Sequence, residues 1–334
     1  MRIVFAGRQY LSERLAVQNK QSFRIMSIFT PSNYIIKIME ENLSRRNFIQ
    51  KSVVAGIVLA TFNPLSVWAK SEKSGMKLGL VTYQWAKDWD IPTLIANCVK
   101  TGVLGVELRT EHAHAVETKL NVAQRAEVKK MFADSPVTCI GYGANFEYHS
   151  PDPTKLRMNI DQTKEYIKLC KDIGATGIKV KPNDLPEGVV KEKTIAQIAA
   201  SLNEVGKFAR DYGQLVRVEV HGNKTQELPN MKAIFDQVTE KNVKICWNCN
   251  DQDLLPPGLE GNFNSVKKWF GDTVHVREFN VGNYPYQQLF DLFAGIKYNG
   301  WILLEARTEP ADKVVALKEQ LVLFNQLIGK SKKG

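Results

Sequence analysis

The sequence predicts an α/β fold, a (β/α)8 TIM barrel. Eight short strand-like runs alternate with eight helix-period segments, which indicates a parallel sheet with helices between its strands. The centres of successive runs lie about 26 to 40 residues apart, the length of one strand, one helix and two loops. Eight such units in about 265 residues match a barrel in number and size. A doubly wound open sheet is the alternative, but Tyr83-Gln84-Trp85 follows the first strand, where that fold carries a Gly-rich phosphate loop.

The period of the apolar residues defines each element in turn. The predicted strands cover residues 78–84, 105–110, 137–143, 177–182, 216–222, 244–250, 273–279 and 301–307. The predicted helices cover residues 91–101, 122–133, 153–173, 191–211, 228–240, 263–270, 286–297 and 310–328. Asp152-Pro153 is typical of a helix start, and Gly174 is typical of a residue just past a helix end.

The charge distribution argues against a nucleic-acid-binding function. The chain of 334 residues has a net charge of +10, but residues 1–69 alone hold nine Lys or Arg against three acidic residues. The remainder has 36 basic and 32 acidic residues, and no basic stripe is visible in it. We therefore expect no nucleic-acid partner.

The N-terminal segment resembles an export signal of the twin-arginine kind. Arg45-Arg46 precedes an apolar stretch over residues 52–62, and Val67-Trp68-Ala69 forms a small-x-Ala end. We predict a twin-arginine signal peptide over 39–69, recognised by the twin-arginine export machinery, and a periplasmic or otherwise exported protein. The alternative is a membrane anchor, but the stretch is too short to span a bilayer core of about 30 Å, so we expect no stable membrane span in the mature form.

The signal prediction divides the rest of the chain. Export signals normally lie at the very start, so we predict that translation begins at Met39 and that residues 1–38 are a gene-model extension or disordered. Residues 70–334 are predicted to form a single barrel domain. The five cysteines include Cys246-x-x-Cys249, which is typical of metal or redox sites. Since no second pair completes a zinc site, we expect mostly free or buried thiols.

Four runs in the second half carry polar residues where ordinary strands are apolar. Alternate side chains of a barrel strand face the lumen. This counting directs Glu219, Asn248, His275 and Glu305 inward from four consecutive strands. Two carboxylates, an amide and an imidazole suit one divalent metal ion, namely Mn, Co, Mg or Zn. The alternative is a network of buried ion pairs, such as Arg217 with Glu219, that holds the barrel register.

At these residues, over about 77 to 329, the chain resembles the xylose isomerase-like TIM-barrel superfamily. Its fifth strand commonly ends in E-x-H, matched by Glu219-Val220-His221, its seventh carries a His, and its eighth ends in Glu, matched by Glu305. The sixth strand departs from the pattern, since Asn248 stands where Asp is usual. The leader, His112-Ala113-His114 and the E-V-H-G and C-W-N segments resemble the exported branch of the sugar phosphate isomerase/epimerase family.

The resemblance implies an isomerase, an epimerase or a lyase acting on a small carbohydrate. Such enzymes remove a proton alpha to a metal-polarised carbonyl, and some relatives eliminate the aglycone of 3-keto-glycosides. The candidate catalytic residues are Glu219, His221, Glu305 and Lys181. The candidate substrate-binding residues, inward-facing or on loops at the mouth, are Glu107, Arg109, His112, His114, His149, Arg277, Arg307 and Trp247.

The same barrel can serve two other functions. Apurinic endonucleases bind several zinc ions through many more His and Asp ligands, which the five histidines of this chain cannot supply. A non-catalytic periplasmic sugar-binding protein is the remaining alternative, because the neutral amide of Asn248 replaces an acidic ligand.

Overall fold

A computed structural model describes residues 75–331. The predictions for residues 1–38 and for the signal peptide at 39–69 lie outside these described residues. No helix within the described part of the chain combines the length and the apolarity needed to cross a membrane.

Eight parallel strands form a closed barrel. They are β1 (Lys77–Val81), β2 (Gly105–Arg109), β3 (Thr138–Glu147), β4 (Gly177–Lys181), β5 (Leu215–Glu219), β6 (Val243–Asn248), β7 (Phe270–Val276) and β8 (Trp301–Leu304). Each strand pairs with its neighbours in the chain, and β8 pairs with β1 through Lys77 opposite Trp301. The predicted (β/α)8 TIM barrel is confirmed.

Within residues 75–331, seven α-helices connect successive barrel strands and an eighth follows the last strand. They are α1 (Ile91–Thr101), α2 (Val122–Ala133), α3 (Pro153–Ile173), α4 (Lys191–Asp211), α5 (Leu228–Phe235), α6 (Gly258–Val266), α7 (Tyr286–Gly295) and α8 (Lys313–Lys330). The first four have the predicted bounds. Helix α3 begins where Asp152 accepts hydrogen bonds from the N–H groups of Thr154 and Lys155, and it ends at Gly174, whose φ of 81° is left-handed.

All four later helices differ from the prediction at one or both ends, and α7 ends at Gly295, before the predicted 297. The segment predicted at 263–270 is a helix over Gly258–Val266, followed by a single 3-10 turn, and Phe270 already belongs to β7. Helix α5 ends at Phe235, before the predicted 240. Helix α8 begins at Lys313 because the side chain of Asp312 accepts from the N–H groups of Val314 and Val315.

The strands alternate between the helix-facing core and the lumen, as the counting predicts. On β5, Val216 and Val218 pack in the main apolar core, while the side chain of Arg217 points into the barrel. Arg217 is fully buried and pairs with Asp272, with Nε to Oδ1 at 2.7 Å. The ion pair proposed between Arg217 and Glu219 is therefore wrong, because Asp272 occupies the guanidinium. Gly141 leaves room for the guanidinium of Arg217, since a Cβ at position 141 would lie 2.4 Å from Nη1 of Arg217.

A second, two-stranded sheet lies beyond the ends of β4 and β5. Asn183–Asp184 pairs in parallel with Gly222–Asn223, with Asn183 opposite Gly222. Gly222 has a φ of 99°, and a Cβ on it would lie 2.2 Å from the carbonyl oxygen of Asn183. Only glycine fits this close approach, which ties the loop after β4 to the loop after β5.

Candidate metal centre and active site

Three side chains from β5, β7 and the residue after β8 converge inside the barrel. Glu219, His275 and Glu305 each offer one ligand atom, and these atoms lie within 4.8 Å of one another. Nδ1 of His275 lies 3.6 Å from Oε1 of Glu219 and 4.0 Å from Oε2 of Glu305. All three residues are buried. The predicted ligand candidates from these strands therefore meet in one place.

The donor atoms of this cluster fit a divalent cation. Nδ1 of His275 is buried without a hydrogen-bond partner and faces two carboxylates, an arrangement that leaves a costly unpaired polar atom unless an ion binds there. Nε2 of the same ring lies 3.1 Å from Oε1 of Glu107. A carboxylate on the far nitrogen is the usual partner of a metal-binding histidine, because it fixes the ring orientation.

Glu107 is thus placed differently from its predicted role. It is fully buried on β2 and contacts His275, so we correct its assignment from substrate binding to support of the histidine. Burial alone would raise the pKa of Glu107, but His275, Lys179 and Arg217 hold it below its usual value. Burial would likewise lower the pKa of His275, but Cys246 and Glu107 keep it well above its ordinary value.

Two further polar groups contact Glu219. The ammonium of Lys179, fully buried on β4, lies 2.7 Å from Oε2 of Glu219. Nδ2 of Asn248 donates a hydrogen bond of 3.1 Å to Oε1. Burial would raise the pKa of Glu219, but Lys179 and His275 hold it well below its usual value. Asn248 is therefore next to the cluster as a hydrogen-bond donor, and its role as a metal ligand stays a prediction.

Arg109 holds the other carboxylate. Its Nη1 pairs with Oε1 of Glu305 at 2.8 Å, and its Nη2 donates to Oδ1 of Asn145 at 3.1 Å. The guanidinium also lies over the ring of Tyr83, 5.0 Å from its centroid. The predicted substrate contact of Arg109 stays a prediction, and the structure adds a role in orienting Glu305.

Lys181 and His221 lie at the mouth of the barrel. Both are partly buried, and the Lys181 ammonium forms no ion pair or hydrogen bond within residues 75–331. Burial and the neighbouring Lys179 lower the pKa of Lys181. Burial lowers the pKa of His221 to about 4, although Glu219 acts in the opposite direction. Nδ1 of His221 lies 2.7 Å from Oδ1 of Asn183.

The other three histidines of the chain lie on loops, and they differ in how many of their ring nitrogens are already hydrogen-bonded. His114 is buried with both ring nitrogens used, since Nδ1 accepts from the N–H of Val116 at 3.1 Å and Nε2 donates to the carbonyl of Arg109 at 2.8 Å. Its predicted substrate contact is wrong, because no ring nitrogen remains for a ligand. Nδ1 of His112 lies 3.1 Å from Oγ1 of Thr82, and burial lowers its pKa to about 4.

His149 remains a candidate for contact with substrate. It is partly buried, and its Nδ1 lies 3.2 Å from the carbonyl oxygen of Pro182 and 3.8 Å from Oε2 of Glu147. The loop after β3 therefore meets the loop after β4 at this histidine.

Two predicted substrate-binding residues are placed elsewhere. Trp247 is fully buried, with its ring centroid 5.8 Å from those of Phe263 and Phe270, so it belongs to the helix-facing core. The physical reason is alternation itself, since its neighbours on β6 face the lumen. Arg307 is exposed and does not face the lumen, since it lies three residues beyond the end of β8 at Leu304.

Arg277 directly follows β7 and is partly buried. Its N–H donates to the hydroxyl of Tyr286 at 3.1 Å, and its buried Nε has no hydrogen-bond partner among the described residues. Its predicted substrate contact stays a prediction. Sequence reasoning did not assign a role to Lys179 or Asn183, although alternation already directs Lys179 into the lumen.

Comparisons with known proteins agree with this fold. The family model described as a xylose isomerase-like TIM barrel matches residues 95–251. A search of curated proteins finds no match.

Several of the solved structures that match are sugar epimerases, at low sequence identity to this chain. The 3-keto-D-glucoside 4-epimerase of E. coli, in its apo form, has a TM-score of 0.63 at 16% identity, covering 75% of this chain and 99% of that one. The D-psicose 3-epimerase of Clostridium cellulolyticum H10, with D-tagatose, has a TM-score of 0.61 at 17% identity over 76% of this chain and 99% of the other. The IolI protein with a zinc atom has a TM-score of 0.65 at 14% identity over 78% and 100%. The chain therefore has a TIM-barrel fold, and its residues 95–251 are similar to the xylose isomerase-like family, the resemblance that its strand-end motifs indicate.

Proposed function

We propose that this protein is a divalent-metal-dependent enzyme of the sugar isomerase or epimerase type. The observation that carries the proposal is the convergence of Glu219, His275 and Glu305, with Nδ1 of His275 unpaired between two carboxylates. Structures of the same fold include sugar epimerases and one protein with a zinc atom. These likenesses and the donor geometry of this chain support the proposal.

Glu219, His275 and Glu305 would hold the ion, with Asn248 as a fourth candidate beside them. When bound, a divalent ion polarises a substrate carbonyl and so acidifies the adjacent C–H bond. The chain's own groups then handle the proton and the charge. His221 at the mouth has a lowered pKa and is neutral at neutral pH, so it can accept a proton. Lys181 can donate hydrogen bonds to a substrate oxygen that gains negative charge.

We place 3-keto-glycosides first among candidate substrates. One structure of the same fold is a 3-keto-D-glucoside 4-epimerase, so this fold can bind a sugar with a carbonyl at that position. With such a substrate, removal of the proton next to the ketone leads either to epimerisation or to loss of the aglycone. The finer proposal is therefore a 3-keto-glycoside lyase or hydrolase.

The test combines metal analysis with activity. Purified protein is expected to contain about one Mn, Co, Mg or Zn per chain, and to convert ketoses or 3-keto-glycosides. Glu305→Gln should lower this activity by at least about 100-fold. Glu309→Gln is the matched control, because this carboxylate forms only surface ion pairs with Lys87 and Lys313. A protein that turns over these sugars equally well without any ion would refute the proposal.

One observation favours a second function, sugar binding without catalysis. The Lys179 ammonium already neutralises one oxygen of Glu219, and Asn248 contributes no charge, so the cluster could persist without an ion. Metal-free protein that binds sugars tightly and does not change them would establish this alternative.

We also propose that the chain is exported by the twin-arginine route. The support is the arginine pair and apolar stretch within residues 39–69. A reporter fused behind this segment should reach the periplasm, and replacing Arg45 and Arg46 by lysines should retain it in the cytoplasm. Equal export of both fusions would contradict the proposal.

A further inference from the structure

The small sheet beyond β4 and β5 brings Asn183 against His221. Asn183 pairs with Gly222, the residue next to His221, and its own backbone has a φ of 75°. Left-handed backbone is uncommon outside glycine, and asparagine is one of the few side chains that adopt it readily. The asparagine at position 183 is therefore compatible with this left-handed backbone.

A chain of three side chains runs across this contact. Nδ2 of Asn183 donates to Oε1 of Glu147, at the end of β3. Oδ1 of Asn183 lies 2.7 Å from Nδ1 of His221. Residues at or just after the ends of three successive barrel strands thus meet at the Asn183 amide.

The order of donors and acceptors along this chain fixes the histidine tautomer. An ionised carboxylate can only accept, so Glu147 requires the NH2 of Asn183 on its side. The amide oxygen then faces His221 and can only accept, so Nδ1 of the ring must carry the proton. In a neutral imidazole the other nitrogen, Nε2, is consequently a bare acceptor.

Nε2 of His221 is available to a ligand. It has no hydrogen-bond partner among residues 75–331, and it is not one of the buried atoms left without a partner, so it is open to solvent. His114 shows the opposite arrangement, in which Nδ1 accepts and Nε2 donates. The two rings should therefore be opposite tautomers in the same molecule.

We infer that Asn183, held by Glu147, is a positioning residue that keeps His221 in its Nδ1–H tautomer, so that Nε2 accepts a hydrogen bond or a proton from a sugar hydroxyl or an adjacent C–H. The orientation stands on geometry alone, whereas the use of Nε2 on a sugar rests on the proposed function. Lys181 on the neighbouring strand end supplies the donor that complements this acceptor.

The first arm of the test reads the tautomer directly. The full chain is labelled with ¹⁵N at its five histidines, and two-bond ¹H–¹⁵N correlations at neutral pH report which ring nitrogen is protonated. His221→Gln identifies the signals of His221. We expect a protonated Nδ1 for His221 and a protonated Nε2 for His114. A protonated Nε2 on His221 in the unsubstituted protein would overturn the inference, whatever the activity is.

The second arm removes the amide while keeping the backbone. Asn183→Gly tolerates the left-handed conformation and lacks the acceptor, so the His221 signals should shift towards a mixture of tautomers while those of His114 stay unchanged. Asn183→Asp restores an acceptor and should return the Nδ1–H form. Unchanged His221 signals in the glycine variant would show that Asn183 does not set the tautomer.

Kinetics separate this inference from the proposed function. With a sugar that the protein converts, Asn183→Gly should lower kcat by at least about tenfold with a smaller change in KM, since a general base contributes about 10² to 10⁴-fold. Asn183→Asp should recover most of the loss. If the tautomers behave as expected and no sugar is converted, the positioning role stands and the proposed function fails. If kcat is unchanged while the tautomer shifts, Nε2 is not used in the reaction.

Discussion

Replacing Glu107 by glutamine should weaken metal binding without touching any ligand. The carboxylate lies fully buried 3.1 Å from Nε2 of His275, while the opposite nitrogen, Nδ1, faces Glu219 and Glu305. The variant keeps the volume of the side chain, but it removes the negative charge that makes the imidazole a better donor. It also leaves Lys179 with one fewer nearby carboxylate, which disfavours a second cation.

The expected loss follows from the position of Glu107 behind a ligand. Removing such a partner typically costs about 10 to 100-fold in metal affinity. This corresponds to about 1.4 to 2.7 kcal/mol of binding free energy. Both effects of the substitution, the weaker donor and the extra positive charge, act in the same direction, so we expect the upper part of this range.

Calorimetric titration of metal-free protein with Mn²⁺ and Zn²⁺ measures the effect. Glu117→Gln is the control, because Glu117 accepts from Tyr142 and Tyr166 and takes no part in the cluster. Thermal unfolding of each metal-free variant shows that the fold is kept. Equal metal affinity for Glu107→Gln and the unsubstituted chain would refute the supporting role of Glu107, and tighter binding would reverse the reasoning.

Three further substitutions test other parts of the molecule. Gly222→Ala should lower the free energy of unfolding by about 3 kcal/mol or more in chemical denaturation, because the new Cβ meets a carbonyl oxygen. Gly188→Ala, which has a similar φ of 76° but open space, should cost only about 1 to 2 kcal/mol. Burial raises the pKa of Asp253 from 3.8 to about 7, so the folded state binds this proton more tightly than the unfolded state does. Stability should therefore fall as pH rises from 5 to 7, on the order of 2 kcal/mol more than in Asp253→Asn. Asn248→Asp places a second carboxylate beside Glu219, so the metal-free melting temperature should fall and the increase on adding Mn²⁺ should grow.

The fold was predictable because the strand signals are strong and regularly spaced. Every barrel strand lies where an apolar run predicts it, and helices α1, α2 and α3 begin at side-chain caps, namely Asp90, Asn121 and Asp152. Helix α6 was displaced because Pro257, Gly258 and Gly261 weaken the helical pattern at its start. Its true beginning depends on packing against the barrel, which a local pattern does not contain.

The side-chain cluster was partly predictable because the strands themselves were. Alternation requires only the position of the strand, so it correctly predicted that Glu219 and His275 point inward. The pairing of Lys179 with Glu219 depends on the register between β4 and β5, which single-strand counting does not supply. Two residues show the limits of counting by strand alternation. Arg307 lies past the end of β8. Trp247 was chosen because it is aromatic, although alternation places it on the helix-facing side of β6.

The contact of Asn183 with His221 could not be predicted from the sequence, for a different reason. The sheet that creates it contains only two residues from each loop, too few for any periodic signal. The one signal of this contact in the sequence is Gly222. Its requirement for a positive φ can be recognised only when the position of the opposing backbone is known. Short tertiary pairings of this kind determine side-chain orientation at the mouth, while the repeating strands determine only where the mouth is.

The charge balance around the cluster gives Asn248 a physical meaning. Three carboxylates are matched by three cationic side chains, namely Glu107, Glu219 and Glu305 against Lys179, Lys181 and Arg109. An aspartate at position 248 would add a negative charge, whereas the amide leaves the protein groups balanced when His275 is neutral. A bound divalent ion would then give the centre a net charge of about +2, in a buried setting where charges interact strongly. Such a centre favours a substrate oxygen that becomes negatively charged when a neighbouring proton leaves, which is the step that isomerisation, epimerisation and aglycone elimination share.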